Sequence, residues 1–328
     1  MANGYSTIIG QDTDECINWI MKGVPVAIPT ETVYGLAANA LDEDAILKIY
    51  SIKNRPSFNP LIIHISSLEK IRRYVSHLPE QAIKLAETYW PGPLTLLLPK
   101  SELVPDLVTA GSNLVAIRVP AHPLTLRVLQ SVDFPLAAPS ANPSGYVSPT
   151  TSEHVYQHLK NKIPYILEGG PCEIGLESTI IGFNGEGNAV LYRYGGLETD
   201  KIEKVTGTKL MLHKADNNQP ATSGQLLSHY ATDSPLFLDA DLSNIPSEKS
   251  LIYLIRFKSY HPDFPLSQQR LLSPSGSMDE AARNLFTILR ELDAINPPFI
   301  YVEKVPEEGL GIAINDRLTR AQHIYKKQ

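Results

Sequence analysis

Short apolar segments of strand length alternate with amphipathic segments of helical spacing along most of this chain. The strand-like segments include VPVAIPT, PLIIHIS, PLTLLLP and LVAIRVP. The helical segments open with capping-box sequences such as DTDE at residues 12–15, after which Ile17, Ile20 and Met21 recur at helical spacing and Gly23 marks a stop. This alternation predicts an α/β fold with a mixed, mostly buried sheet.

The same spacing predicts further helices at residues 44–52, 67–75, 79–90 and 124–132, and one after a second capping box at residues 150–153. The first of these should end before Arg55 and Pro56, because the residue before a proline avoids the helical conformation. PYILEGG, STIIGFN and AVLYRYGG are predicted as strands.

The periodic pattern weakens after about Lys204, and it returns some 30 residues later. We expect a first domain over residues 1–203, an interdomain linker over 204–233 and a second domain over 234–328. In the second domain, SLIYLIRF and PFIYVEKVP are predicted strands. An amphipathic helix follows the capping box at 277–280, and GIAINDRLTRAQ is a second helix. The order strand, helix, strand, helix predicts a small parallel sheet.

Charge and composition restrict the class of protein. The 328 residues carry a net charge of −6 with a pI near 5.9, which argues against a broad basic surface for nucleic acid or anionic membrane. Cys16 and Cys172 are far apart and form no C-x-x-C pair, as expected of a chain in a reducing compartment. The first residues do not resemble a secretory signal, and no apolar segment approaches the ~20 residues of a membrane helix. We therefore expect a cytoplasmic protein without a membrane partner.

Common phosphate-binding and nucleophile motifs are missing: the P-loop, G-x-G-x-x-G after a strand, H-E-x-x-H and G-x-S-x-G. Chemistry must then depend on side chains in the loops at strand ends. PTETVYGL places three hydroxyl residues and Glu31 after a buried strand, where ligands often bind in α/β sheets. Taken alone, this motif favours a locally capped turn over a ligand site.

SIKNRPSFNPLIIHI sets cations beside an apolar strand. Lys53 and Arg55 suit a polyphosphate, since one offers a point charge and the other a planar fork. On the strand, Ile62 and His64 share one face, opposite to Ile63. A strand histidine is equally compatible with a satisfied position in the core.

Four further stretches carry polar residues within or next to a predicted strand. Arg118 in LVAIRVP needs an anion, which either a glutamate or a ligand could supply. PLAAPSANPSGYVSPTT and GLESTII offer hydroxyls and amides, and Arg193 lies near the end of AVLYRYGG. Each stretch is a weak signal alone. Together they predict a pocket for a nucleoside triphosphate and a small zwitterion, with no protein nucleophile.

In their order along the chain, PTETVYGL, KNRPSFNPL, VAIRVP, APSANPSG and LESTI resemble the YrdC-type threonylcarbamoyl-AMP synthase family. GQLLSHYAT and GLGIAINDRLTRAQ resemble the linker and the additional C-terminal domain of its long form. The resemblance covers nearly the whole chain. It implies a twisted open mixed α/β sheet followed by a small Rossmann-like α/β domain.

The resemblance also implies an activity. Such a nucleotidyltransferase joins L-threonine, bicarbonate or CO2, and ATP into threonylcarbamoyl-AMP and releases pyrophosphate, with Mg2+ accompanying the ATP. A separate transferase then moves the threonylcarbamoyl group to a tRNA adenosine. A weak direct contact with tRNA is a further expectation.

Site residues follow from the resemblance, motif by motif. ATP is assigned to Lys53, Arg55, Asn59, Leu114, Ser140, Asn142, Ser148, Arg193 and Tyr230. L-threonine is assigned to Thr32, His64, Arg118, Ala138 and Ser178, with Arg118 on the carboxylate. Lys53, Arg55 and Arg118 are the implied catalytic residues. No protein metal ligand is implied, since Mg2+ would be held mainly by the ATP phosphates.

The chain departs from the family pattern at a few positions. In the linker, Ser223, Gln225, Ser228 and Thr232 replace the usual Pro, Met, Arg and Pro, whereas Gly224, His229, Tyr230 and Ala231 remain. Leu114 stands where a threonine is common, which is tolerable if that contact is made through the backbone.

Two other functions remain as alternatives. A carbamoyl-adenylate-forming domain, as in hydrogenase-maturation proteins, would have a similar fold. Those proteins also carry cysteine-rich zinc segments, which two cysteines cannot supply. A non-catalytic RNA-binding factor is opposed by the net charge of −6.

Overall fold

The computed structural model describes residues 4–213, 222, 224, 230–239 and 249–322. Within these residues the chain forms a large mixed sheet and a small parallel one. The large sheet has the strand order β1-β8-β2-β3-β7-β4-β6-β5-β9-β10-β11. Its strands are β1 (Ile8–Gly10), β2 (Val26–Ile28), β3 (Gly35–Asn39), β4 (Ile62–His64), β5 (Leu94–Pro99), β6 (Leu114–Arg118), β7 (Leu136–Ala137), β8 (Tyr165–Leu167), β9 (Thr179–Phe183), β10 (Ala189–Arg193) and β11 (Met211–Leu212).

Helices cover the large sheet unevenly. They are α1 (Thr13–Met21), α2 (Glu43–Lys53), α3 (Glu80–Tyr89), α4 (Asp106–Thr109), α5 (Pro123–Gln130), α6 (Ser152–Leu159) and α7 (Thr199–Thr206). Residues of α2, α3, α4, α6 and α7 share the main core with the strand residues Ile63 and Ile117. Helices α1 and α5 belong to a separate core that includes Val26 and Leu136. Part of the face that carries Ile62 and His64 lines a cavity instead.

Pairing in the middle of the sheet sets the register of two predicted site residues. Strands β4 and β6 are parallel, and His64 lies directly beside Arg118. Antiparallel β7 pairs with the other edge of β4, with Leu136 opposite His64. Because Ile63 and Ile117 point into the main core, alternation directs His64 and Arg118 to the opposite face.

The small sheet is parallel throughout, with the order β12-β15-β13-β14. Its strands are β12 (Leu236–Leu238), β13 (Ile252–Arg256), β14 (Gln269–Leu271) and β15 (Phe299–Val302), and its helices are α8 (Met278–Ile295) and α9 (Leu310–Gln322). The predicted small parallel unit is therefore confirmed. As the capping box predicts, the Ser277 side chain accepts from the backbone N–H of Glu280 at the start of α8.

Helix α8 packs against the loop that follows β7. Arg290 is 4% exposed, and it donates to the backbone carbonyls of Val147 and Ser148. Its guanidinium also lies 5.0 Å from the centre of the Tyr146 ring, whose hydroxyl donates to Asp293. Two buried polar residues of α8 thus position a loop that the sequence analysis assigned to ATP.

Most predicted elements are present, and the differences have local reasons. The segment at residues 67–75 forms a 3-10 helix at Leu68–Arg73 rather than an α-helix, and Ser67 makes no side-chain cap. Helix α6 is capped by Thr151, one residue later than predicted, because the Thr151 hydroxyl accepts from the N–H of His154.

Several short strands were not predicted. Strand β3 reads GLAAN, and Gly and Ala have low strand propensity, so pairing on both edges stabilises it instead. Strand β11 pairs with β10, which extends the first sheet past residue 203. The predicted domain limits themselves stay a prediction, and part of the predicted linker lies outside the described residues. No helix in the described ranges is both long and apolar enough to span a membrane.

A substitution at Ile117 tests how much strand β6 contributes to the stability of the fold. We expect Ile117→Ala to lower the free energy of unfolding by about 2–5 kcal/mol, since it removes buried methyl groups from a fully buried position. Leu47→Ala on α2 is the matched control, because Leu47 is 53% exposed and should change stability little. Urea titration followed by circular dichroism measures both. Equal losses in the two variants would contradict the placement of β6.

Candidate active site

A cavity lies against the face of the large sheet that carries Ile62 and His64. The space between its lining atoms, counted out to the open mouth and so including open solvent, is about 470 Å³. Eight of the predicted site residues line it, and so do six others. The lining residues are Thr30, Thr32, Val33, Gly35, Ile62, His64, Arg118, Ala138, Pro139, Ser140, Glu177, Ser178, Arg193 and Tyr230.

One wall is the turn after β2. The Thr30 hydroxyl donates to the carbonyl of Val33 and accepts from the N–H of Thr32, so the turn is capped by its own side chain. The turn is thus locally capped and also faces the cavity, and its predicted role in binding a ligand stays a prediction. The Thr32 hydroxyl is presented to the cavity and to Arg118.

Arg118 is 3% exposed and surrounded by acceptors. Its Nε donates to the carbonyl of Gly92 at 3.0 Å, and its Nη1 donates to the Thr32 hydroxyl at 2.9 Å. Its Nη2 lies 2.7 Å from Oε1 of Glu31, although the two atoms are not aligned as a hydrogen bond. A glutamate is therefore the partner of the strand arginine in this structure. The guanidinium still faces the cavity, where a second carboxylate can approach it.

His64 is buried beside Arg118 and faces the same cavity. Burial lowers the pKa of its imidazole to about 3, and the positive charge of Arg118 acts in the same direction. The ring is consequently neutral at physiological pH. Its Nδ1 has no hydrogen-bond partner among the described residues, as expected of a group that binds a ligand.

Ser178 and Arg193 form the opposite wall. Arg193 donates from Nε and Nη2 to the backbone carbonyl of Ser178, at 3.1 and 2.8 Å. The Ser178 hydroxyl lies 2.7 Å from that of Thr95. Burial lowers the pKa of Arg193 to about 10, although the nearby Tyr230 and Glu177 oppose that change.

Lys53 lies at the end of α2, buried next to the cavity but not among its lining residues. Its ammonium donates to the backbone carbonyls of Ser140 and Asn142 and so holds the loop after β7. Burial, together with the charge of Arg55, lowers the pKa of Lys53 well below its ordinary value. In this structure Lys53 supports a binding loop, and its predicted contact with ATP stays a prediction.

Arg55 is organised by the loop before β4. It donates to the Asn59 carbonyl at 3.1 Å, to Asn59 Oδ1 at 2.7 Å and to the Pro60 carbonyl at 2.9 Å. Burial lowers the pKa of Arg55 to about 10, and Arg193 and Tyr230 lie close enough to shift it further in opposite directions. Arg55 and Arg193 thus come from distant parts of the chain to one region.

The remaining predicted residues divide into three groups. Ala138 and Ser140 line the cavity, whereas Asn142 and Ser148 are buried in the adjoining loop. Leu114 is at the amino end of β6 and packs in an apolar cluster on the sheet, outside the cavity lining. The role of Leu114 in binding ATP stays a prediction, as do the other assigned contacts.

Three charged residues at the site were not predicted. Glu31 pairs with Arg118, and Glu177 accepts from the Ser148 hydroxyl at 2.6 Å. Arg317, on α9, lies 3.1 Å from Glu177. Glu31 and Glu177 lie inside the motifs PTETVYGL and LESTI. An acidic residue beside a predicted strand is the feature that could have indicated them as site residues. Arg317 gave no signal, since a helix of amphipathic pattern is normally explained by packing.

Cations predominate around the cavity. The buried cations in the described residues include Lys53, Arg55, Arg118, Arg193 and Arg317. Their ion pairs within the described residues join Arg118 to Glu31 and Arg317 to Glu177 and Asp316. Buried polar atoms without a hydrogen-bond partner in the described ranges include His64 Nδ1, Asn59 Nδ2 and Asn142 Oδ1. A polyanionic ligand with further polar groups matches this set.

The linker contributes Tyr230 to the cavity lining, with the ring 1% exposed. Gly224 has φ +85°, and a Cβ there would lie 3.1 Å from both Arg193 Nη1 and the Tyr230 hydroxyl. Thr232 is buried, and its hydroxyl donates to the carbonyl of Ser234. The departures at Ser223, Gln225 and Ser228, together with His229, lie outside the described residues.

Comparison with protein families gives two matches that follow one another along the chain. Residues 18–195 match the Sua5/YciO/YrdC family model, whose description is "Telomere recombination". Residues 197–322 match the model described as "Threonylcarbamoyl-AMP synthase, C-terminal domain".

Individual relatives match over nearly their full length. A threonylcarbamoyl-AMP synthase of Pyrococcus abyssi is 40% identical, over 92% of this chain and 92% of the relative. One of Bacillus subtilis is 38% identical, over 90% and 88%. The crystal structure of P. abyssi Sua5 complexed with L-threonine matches with a TM-score of 0.86 and 38% identity, over 96% of this chain and 97% of that chain, which confirms the predicted fold. The chain belongs to the threonylcarbamoyl-AMP synthase family, in the long form that carries a second domain.

Proposed function

We propose that this chain makes threonylcarbamoyl-AMP from L-threonine, bicarbonate or CO2, and ATP, and releases pyrophosphate. The observation that carries the proposal is the juxtaposition of Arg118, His64 and Thr32 with Arg193 in one cavity, in a member of this family. Such a site offers a place for an amino acid next to a place for phosphates.

The amino-acid end is formed by Thr32, His64, Arg118 and Ser178. A guanidinium next to a hydroxyl suits a carboxylate, and Arg118 is held by Gly92 and Thr32 before any ligand arrives. Because the imidazole of His64 is neutral, Nδ1 can accept from a ligand N–H or O–H without adding charge. We assign L-threonine to this end.

The phosphate end is formed by Arg193, with Arg55 close to it but outside the cavity lining, and with Lys53 behind the loop that carries Ser140 and Asn142. Planar guanidinium groups bind phosphates through paired hydrogen bonds, and their burial strengthens the interaction. We assign ATP to this end, with Tyr230 at its margin.

The chemistry requires positioning and charge stabilisation. The threonine amine attacks CO2 and loses a proton, which gives a carbamate. A carbamate oxygen then attacks the α-phosphorus of ATP, a new P–O bond forms, and the bond to the β-phosphate oxygen breaks. Pyrophosphate leaves with the electron pair. Fixed cations stabilise the charge that develops on the phosphates, so no protein nucleophile is needed.

Mg2+ is proposed to enter with ATP. The described residues contain no group of three or more His, Cys, Asp or Glu side chains able to hold a metal ion. Mg2+ commonly keeps several waters and binds through substrate phosphates, which is the coordination proposed here. When bound, Mg2+ would neutralise phosphate charge, and the residues named above would orient the two substrates.

The product is a reactive mixed anhydride, so an acceptor enzyme must use it before water does. We propose a separate transferase that passes the threonylcarbamoyl group to a tRNA adenosine. A weak contact of this chain with tRNA is part of the same proposal. Carbamoyl-adenylate formation and RNA binding without catalysis are the alternatives that the assays below separate.

Product formation tests the reaction. ATP, L-threonine, bicarbonate and Mg2+ should give threonylcarbamoyl-AMP by mass spectrometry, and omission of any one should abolish it. Pyrophosphate release when a carbamoyl donor such as carbamoyl phosphate replaces threonine and bicarbonate would favour carbamoyl-adenylate formation. Salt-sensitive RNA retention, with no effect of ATP and threonine on the melting temperature, would favour the RNA-binding alternative.

Arg118→Gln tests the assignment of the threonine carboxylate. We expect the KM for L-threonine to rise roughly 10-fold or more, since a charged hydrogen bond is lost, while the KM for ATP changes less. Arg73→Gln is the control, because Arg73 forms an exposed pair with Asp133 on the surface. Unchanged KM for threonine in a folded Arg118→Gln variant would remove the carboxylate from this position.

His64 predicts a pH dependence of stability. Its folded pKa of about 3 lies below the ordinary value of 6.5, so its contribution is complete above pH 6.5 and is lost as pH falls toward 3. Between pH 7 and pH 5, wild type should lose about 2 kcal/mol more unfolding free energy than His64→Gln. Urea titrations at both pH values measure this difference, and identical losses would show that His64 is not buried in the neutral form.

A further inference from the structure

Arg317 is a charged residue on a helix of the second sheet, and its side chain lies next to a residue that lines the cavity. It lies on α9, and it is fully buried. Its Nε is 3.1 Å from Oε2 of Glu177, and its Nη1 is 2.9 Å from Asp316. Burial lowers the pKa of the Arg317 guanidinium, but the neighbouring Tyr230, Glu177 and Asp316 outweigh burial and raise the pKa above its ordinary value. The guanidinium is thus matched to anions in its own surroundings.

Glu177 lines the cavity and is 7% exposed. One of its oxygens accepts from the Ser148 hydroxyl, and the other faces Arg317. It directly precedes Ser178, which holds Arg193. A buried carboxylate at this place would repel phosphates and would attract Arg193, unless another cation compensates its charge.

Arg317 also lies over Tyr230, with its guanidinium carbon 5.3 Å from the ring centre. On α8, Phe286 stacks with the same ring at 5.5 Å. The linker residue assigned to the nucleotide is therefore held by residues of α8 and α9. The Phe286 contact does not involve the Glu177 ion pair, and it holds Tyr230 at the same part of the cavity.

We infer that Arg317 is a positioning residue for ATP. Arg317 compensates the negative charge of Glu177, so that the ATP phosphates bind Arg193 beside a carboxylate whose charge is neutralised. It acts through Glu177 and Tyr230 and does not line the cavity itself. The second domain thereby becomes part of the ATP site. This inference rests on the proposed function, and it assigns that domain a role in substrate binding.

The test uses Arg317→Met in the full-length chain. We expect the KM for ATP to rise roughly 10-fold, as on loss of a charged interaction, with the KM for L-threonine within about 2-fold of wild type. Arg320→Met is the matched control, since Arg320 lies one turn further along α9 and pairs with the same Asp316 at 3.0 Å. It should leave both constants unchanged.

A second substitution separates charge compensation from packing. Arg317→Met/Glu177→Gln should restore most of the ATP affinity, because the uncompensated carboxylate is removed while Asp316 keeps Arg320. If Arg317→Met does not fold, the double variant alone decides, since it removes both charges of the buried Arg317–Glu177 pair together. A folded double variant with KM for ATP still raised 10-fold overturns the inference, and so does an unchanged KM in a folded Arg317→Met.

Wild-type protein distinguishes the two levels of failure. If wild type makes threonylcarbamoyl-AMP and its melting temperature rises with ATP, the proposed function holds and the variants test Arg317 alone. If wild type does neither, the proposed function fails, and the inference fails with it.

Discussion

Burial of the Arg118 guanidinium constrains the geometry of the site more than any other interaction. A buried arginine requires acceptors on several sides, and here the Gly92 carbonyl, the Thr32 hydroxyl and the Glu31 carboxylate supply them. These groups come from the loops before β5 and after β2. The position of Arg118 therefore depends on the parallel pairing of β4 with β6 and on two distant turns, which are ordered together.

Buried arginines also require acceptors at the junction between the two sheets. Arg317 and Arg290 are both buried, and each donates from its Nε to a group of the first sheet's loops. Arg290 fixes the backbone of the loop that contains Ser148, and Arg317 meets Glu177. Because leaving a buried charge unpaired is costly, the two halves stabilise one relative arrangement at the cavity. Buried charged residues of the second domain thus contact residues of the site and contribute to its structure.

Much of this could be predicted from local pattern. The α1 cap at Asp12, the alternation that directs Ile63 to the core and His64 to the cavity, and the helix start at Ser277 all follow from short-range rules. Motifs also pointed to most of the cavity-lining residues. By contrast, β3 was missed because its residues have little strand propensity, and the cap of α6 was displaced by one residue.

By itself, the sequence determined the α/β class, the parallel unit at the end, the family and the set of loops from which the site is built. These properties depend on neighbouring residues and on ordered motifs, which a linear pattern contains. Only the tertiary structure decided that Lys53 supports a loop and that Arg118 meets Glu31. It also decided that Arg317 compensates Glu177 from 140 residues away, because pairing of buried charges depends on how distant elements pack, which no local pattern encodes.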